Sequence, residues 1–266
     1  MLFFIGGLFL GSLLNNIAYR IEKEEDFVYS RSKCTHCGHT LSSRELIPVL
    51  SFLLQAGKCA FCKKNISFQY PVSEIITGIM TLGIARAVFG AGGGWVEFLY
   101  LLFFFSCFFI VALLDLKTTY IDERIVYAAF LGWLIFHLAF PSLKQLVFSG
   151  SLQYFFSSSG NMLSAVYTGF VAALFFLFLY AVSLGRGVGL GDAKIAFMIG
   201  LFLHPADAVL SFMLAILLGG IAGIYLLFKY RKMKKEIPYV PFLFVGTFLT
   251  CIYGAQIISF YMRATL

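Results

Sequence analysis

The sequence predicts an all-α polytopic membrane protein of about eight transmembrane helices, with a small cytoplasmic zinc-binding loop domain. Three observations predict it. Of 266 residues, 60% are hydrophobic and only 12% are charged, about half the charge of a soluble domain. Residues 98–114, 145–185 and 237–262 carry no charge at all, and about 20 apolar residues cross a bilayer as a helix. Residues 20–71 break this pattern. They are polar and basic and hold four of the six cysteines.

The elements follow in order. A first span at 2–19 lacks the basic leading region and small-residue cleavage site of a signal peptide, so it is read as a retained helix. Further spans are expected at 72–90, 97–114, 125–141, 160–183, 194–204, 206–228 and 239–261. Between the sixth and seventh, His204, Pro205 and Asp207 interrupt an apolar run that otherwise reads as one helix. Charge supports the count. With the N-terminus outside, the loops at 20–71, 115–124, 184–194 and 229–238 lie inside and hold 8, 2, 2 and 5 Lys/Arg, 17 of the chain's 20. The positive-inside rule then places both termini outside. The net charge of +7 follows from that topology, and the cluster from Lys229 to Lys235 faces anionic lipid. It gives no argument for nucleic acid. The serines at 157–159 read as a short outer loop. Three parts result: the helix 1–19, the cysteine domain 20–71 and the membrane-embedded remainder 72–266.

The loop carries two C-x-x-C pairs, Cys34/Cys37 and Cys59/Cys62, separated by 21 residues. Each pair aims two thiolates at one point, and two pairs complete a tetrahedral zinc site. Gly38 and Lys63, directly after the second cysteine of each pair, suit tight turns. A reducing interior disfavours disulfides, and a domain this small gains folding energy from a metal. Four thiolates leave no open position, so the zinc is read as structural. His36 and His39 are alternative ligands. Cys107 and Cys251 lie within spans and read as packing residues.

Acids near the membrane are few: Glu74, Asp115, Asp122 and Asp192 at the inner ends of spans, Glu97 and Asp207 at outer ends. An ionisable group in a span is a functional hypothesis. Two facing carboxylates can share one proton, one activating water while the other polarises a carbonyl. Competing hydrolytic sets are missing: no H-E-x-x-H occurs, and no Ser/His/Asp set shares a face. Plainer readings exist for each acid. Asp192 precedes an apolar helix and could be its N-cap. Asp115 precedes Lys117 and could be a solvated helix end, and Asp122 could cap the next span. An ion-coupled transporter would instead place its acids near the midplane.

Several stretches, in order, resemble the type IV prepilin peptidases, the leader peptidase/N-methyltransferases of the G-x-G-D aspartic protease class. "GSLLNNIAYRI" resembles the end of that family's first span. The cysteine loop resembles its counterpart through I-P-x-x-S, G-[KR]-C and Y-P-x-x-E. "LLDLKTTYIDERI" and "GLGDAK" resemble the two aspartate motifs, and "EIPYVPFLFVG" the closing one. The resemblance implies a bifunctional enzyme of the bacterial inner membrane serving type IV pili or protein secretion. Its substrates would be prepilins or pseudopilins, cut after a glycine at the cytoplasmic face. The new N-terminal amine would be methylated from S-adenosylmethionine. By motif position the catalytic pair is Asp115 and Asp192. Glu74, Asp122, Gly189, Gly191 and Lys194 are candidate substrate contacts, and Gly57 in "GKC" is a candidate for S-adenosylmethionine. The chain departs from the motifs at Ile121, where proline is usual, and at Tyr239 and Val240, where Phe and Gly are usual. Asp122 keeps the second acid of the first motif and is the alternative partner for Asp192.

Overall fold

The computed structural model describes residues 1–25, 32–140, 162–185, 188–203, 205–230 and 238–265. Gly187, His204, the serines at 157–159 and most of the basic cluster (231–237) lie outside the described residues. The helices are α1 (Leu2–Lys23), α2 (Leu50–Leu54), α3 (Gln69–Gly90), α4 (Trp95–Thr118), α5 (Glu123–Ala139), α6 (Met162–Ser183), α7 (Leu190–Phe202), α8 (Pro205–Tyr230) and α9 (Val240–Thr265). Apart from two isolated β-bridges, the described residues contain no strand. Each of the eight expected spans overlaps a helix among the described residues. α1, α3, α4, α6 and α8 are long and apolar enough to cross a membrane on their own. α5 has 17 residues and α7 only 13, about 20 Å for α7. α7 stops because Leu203 is extended. Pro205 then opens α8 at its first position, where a missing N–H costs nothing. Residues 195–228 are therefore two helices.

The chain forms two compact units, Met1–Arg86 and Ala87–Leu266. In the first, α1 packs on α3 through small residues. A Cβ on Gly7 would lie 2.6 Å from the Thr77 carbonyl oxygen, and one on Gly11 would strike Thr77 Oγ1 and Glu74 Cα. Glycines four apart let two helices touch backbone to side chain, as membrane helix pairs require. Buried Asn15 adds a polar clasp by donating to the Ser73 hydroxyl and, at 3.0 Å, to the Gly11 carbonyl.

In the second unit α4 is the central helix, with Phe104, Phe105 and Phe108 fully buried. Phe104 stacks on Phe202 of α7 at 3.6 Å, Tyr100 on Phe136 of α5 at 4.0 Å, and Phe108 meets Phe244 of α9 edge-on. These aromatic contacts hold α5, α7 and α9 around α4. α6 and α7 approach at Gly169 and Gly200, where an added Cβ would come within 2.6 Å of the facing Cα. α8 and α9 approach at Gly246 beside the Ser211 carbonyl, and Ser211 and Thr247 share a buried hydrogen bond of 2.8 Å.

Candidate active site and metal centre

Asp115 sits in the last turn of α4 and is 6% exposed. The helix ends three residues later, at Thr118, because Thr119 turns left-handed (φ 53°) and returns its N–H to the Asp115 carbonyl. The carboxylate accepts the Val240 N–H at 3.0 Å. That donor comes from local sequence. In Pro238–Pro241, Val240 is the first residue of α9 and its N–H has no carbonyl one turn back. Pro241 has no N–H, and the Phe242 N–H bonds the Tyr239 carbonyl. Val240 is thus the donor that the start of α9 offers to a neighbour.

Asp192 lies at the third position of α7, whose N-cap is Gly189. It is not itself the N-cap: its Oδ2 reaches back to accept the Gly189 N–H at 2.9 Å, the acidic half of a capping box. Among the described residues each carboxylate takes one hydrogen bond, and each comes from a helix N-terminus, where the dipole favours negative charge. The two carboxylates lie within electrostatic reach of each other. Tyr239 is also within reach of Asp192.

The other singled-out residues have different surroundings. Asp122 caps α5 by accepting the Arg124 N–H at 2.8 Å, and it receives the Arg124 side chain on both oxygens. That guanidinium holds its carboxyl below the usual carboxylate range. Lys194 pairs with Glu123 and ties α7 to α5. Beside Gly191 the space is filled by Ile121, whose Cδ1 would lie 2.5 Å from a Cβ. Gly189 has only the Asp192 carboxylate and the Gly191 nitrogen within 4 Å of that position. Glu74, in the first unit, accepts the Val49 N–H at 2.8 Å. Gly57 is left-handed (φ 70°), takes the Phe52 carbonyl and faces the Phe52 ring, so it closes α2. Sequence reasoning missed the Val240 donor, for which the flanking Pro238 and Pro241 are the signal, and the Lys194–Glu123 pair, which has none.

The cysteine loop folds as two matching turns. Cys34 and Cys59 donate to the carbonyls of His39 and Lys64. Gly38 and Lys63 return their N–H groups to Cys34 and Cys59 from left-handed conformations (φ 70° and 59°). Bridges Lys33–Thr40 and Lys58–Asn65 close the two turns. The four Sγ atoms lie within 4.8 Å of one another and could hold a metal ion. Cys34 and Cys62 are 3.9 Å apart, close to the roughly 3.8 Å edge of a tetrahedron with zinc–sulfur bonds of about 2.3 Å. Electrostatics fit a cation too. N–H groups of Cys62 and Phe61 bring Cys59 down to about 6. Although a His39 N–H favours its thiolate, burial and the neighbouring Cys34 and Cys62 push Cys37 up to about 11. The crowding of Cys37 by Cys34 and Cys62 is one that a divalent ion would relieve. His39 stacks on Phe61 at 5.2 Å and faces Glu45, outside this group.

Residues 5–88 match the bacterial peptidase A24 N-terminal domain, and residues 102–224 match the type IV leader peptidase family. The chain is 34% identical over 267 residues to a prepilin leader peptidase/N-methyltransferase of Bacillus subtilis (strain 168), covering 99% of this chain and 98% of the relative. Proteins of the same name from Aeromonas hydrophila and Pseudomonas putida are 25% and 26% identical, over 98% and 97% of this chain and 93% and 91% of their own lengths. No solved structure matches.

Proposed function

The chain belongs to the type IV leader peptidase family, and on that premise we propose that it removes the basic leader of prepilins and pseudopilins and methylates the residue so exposed. The reaction takes place at the cytoplasmic face of the bacterial inner membrane, with both termini outside, as the distribution of Lys and Arg favours. One observation carries the peptidase reading: Asp115 and Asp192 are each docked on a helix N-terminus and lie within electrostatic reach of each other.

On this reading the two carboxylates share one proton. The ionised one takes a proton from water as the water oxygen attacks the scissile carbonyl carbon. The protonated one donates to the carbonyl oxygen. On collapse the C–N bond breaks and the amine leaves with a proton returned by a carboxyl. Val240 and Gly189 hold the two carboxylates in place through their backbone N–H groups. The open side of Gly189 is where an extended substrate backbone passes Asp192. Zinc on Cys34, Cys37, Cys59 and Cys62 would supply folding energy to the 20–71 domain, in which we place methylation. S-adenosylmethionine supplies the methyl group.

Co-expression with a prepilin tests the pair. Asp115→Asn leaves the pilin unprocessed, whereas Asp122→Asn, which keeps an oxygen to cap α5 and removes only the charge that pairs with Arg124, still processes it. The reverse result would make Asp122 the partner of Asp192. Val240→Pro gives a finer test, since proline is tolerated at a first helical position but deletes the donor to Asp115. A buried charged acceptor losing its partner costs about 1–3 kcal/mol, so kcat should fall about 10- to 100-fold in peptide cleavage assays, with KM little changed.

A further inference from the structure

The cysteine domain carries apolar surface that it does not bury. Leu50, Leu53 and Leu54 of α2 are 57%, 65% and 85% exposed. At spacings of three and four residues they form one helix face. On the other side, Phe52 packs against Phe68 and Gly57. A three-leucine face turned outward marks a docking surface.

The chain holds that face in place by unusual means. Val49, which opens α2, has φ 59° and ψ −48°, and the Leu50 N–H bonds the Pro48 carbonyl across it. This γ-turn is rare, and a β-branched residue in it is strained. The Val49 N–H is held by the carboxylate of buried Glu74, the residue whose role was open above. The same bond sets the level of α2. Glu74 is five residues into α3, about 7.5 Å along it. Around it Val72, Ile75 and Ile76 already face outward. α2 therefore begins level with the exposed apolar surface of α3. Charge points the same way. Arg44, Lys58, Lys63 and Lys64 are exposed, and Glu45 is the one acid between residues 32 and 68. Even a zinc–tetrathiolate charge of about −2 leaves this stretch basic.

We propose that α2 is an interfacial anchor. Leu50, Leu53 and Leu54 lie in the leaflet at which α3 begins, and the surrounding Arg and Lys side chains meet its anionic headgroups. An exposed apolar helix face flanked in the chain by exposed basic residues suits the boundary between headgroups and acyl chains. The anchor holds the cysteine domain against the bilayer surface.

Tryptophan quenching in full-length protein tests this. Leu53→Trp, with Leu54→Trp as a second variant, is reconstituted in vesicles of phosphatidylcholine and phosphatidylglycerol with acyl chains brominated near the headgroup. The emission added over the parent protein should be quenched about twofold or more beyond that of Asn65→Trp, a polar-turn control, as interfacial depth requires. Bromine at the chain ends should quench less. Quenching no stronger than at the control overturns the anchor. Quenching that disappears on adding a prepilin peptide also overturns it, and makes the face a peptide-docking surface.

Discussion

Asp192→Asn and Asp115→Asn are each expected to slow leader cleavage by about 10²- to 10⁴-fold, the contribution of a positioned acid or base. The geometry makes these clean changes. An Asn oxygen at 192 can still accept the Gly189 N–H, and one at 115 can still accept the Val240 N–H. Both helix starts therefore survive while the shared proton is lost. Because the two groups act on one proton, the double variant should be about as slow as either single one. Steady-state kinetics on a prepilin peptide reads this directly. Losses that multiply, or a double variant with parental rates, would mean that the carboxylates do not work as a unit.

The second large effect concerns the metal. Residues 32–68 have little core: of the four ligands only Cys59 is buried, and the two turns are held by a few backbone hydrogen bonds. Structural zinc in comparable small sites supplies about 10–16 kcal/mol of apparent folding free energy. The purified protein should hold one zinc per chain. Cys59→Ser or a strong chelator should unfold the domain, seen as new proteolytic cuts between residues 33 and 65. If methyl transfer resides in that domain, as proposed, it should be lost first. Clearly less than one zinc per chain, with all four thiols reduced, would count against the four-thiolate site.

What could be read from the sequence was local. Helix positions followed from apolar length, and Pro205 marked a break because its ring and missing N–H act on adjacent residues. The knuckle turns were legible for the same reason: Gly38 and Lys63 stand where a left-handed residue is needed. The relation between Asp115 and Asp192 was legible only as membrane topology, which puts both at one face without bringing them together. What escaped were contacts between distant segments. The Val240 N–H reaches Asp115 across 125 positions, and Lys194 reaches Glu123 across 71. The glycines before Asp192 show the same limit. Gly191 accommodates Ile121, a neighbour that no local pattern reveals, and of the two described glycines Gly189 is the one with room beside the carboxylate. Asp122 read correctly as a cap because capping is local, whereas its Arg124 clamp depends on a rotamer that sequence does not encode.

The most direct measurement is the mass spectrum of a synthetic prepilin peptide after incubation with the purified full-length protein and S-adenosylmethionine. The expected product is cut after the leader glycine and carries one methyl group on the new N-terminal amine, while the Asp115→Asn and Asp192→Asn proteins leave the peptide intact. A peptide that stays whole with the parent protein, or one still cut by the Asp192→Asn protein, would contradict the two-aspartate assignment.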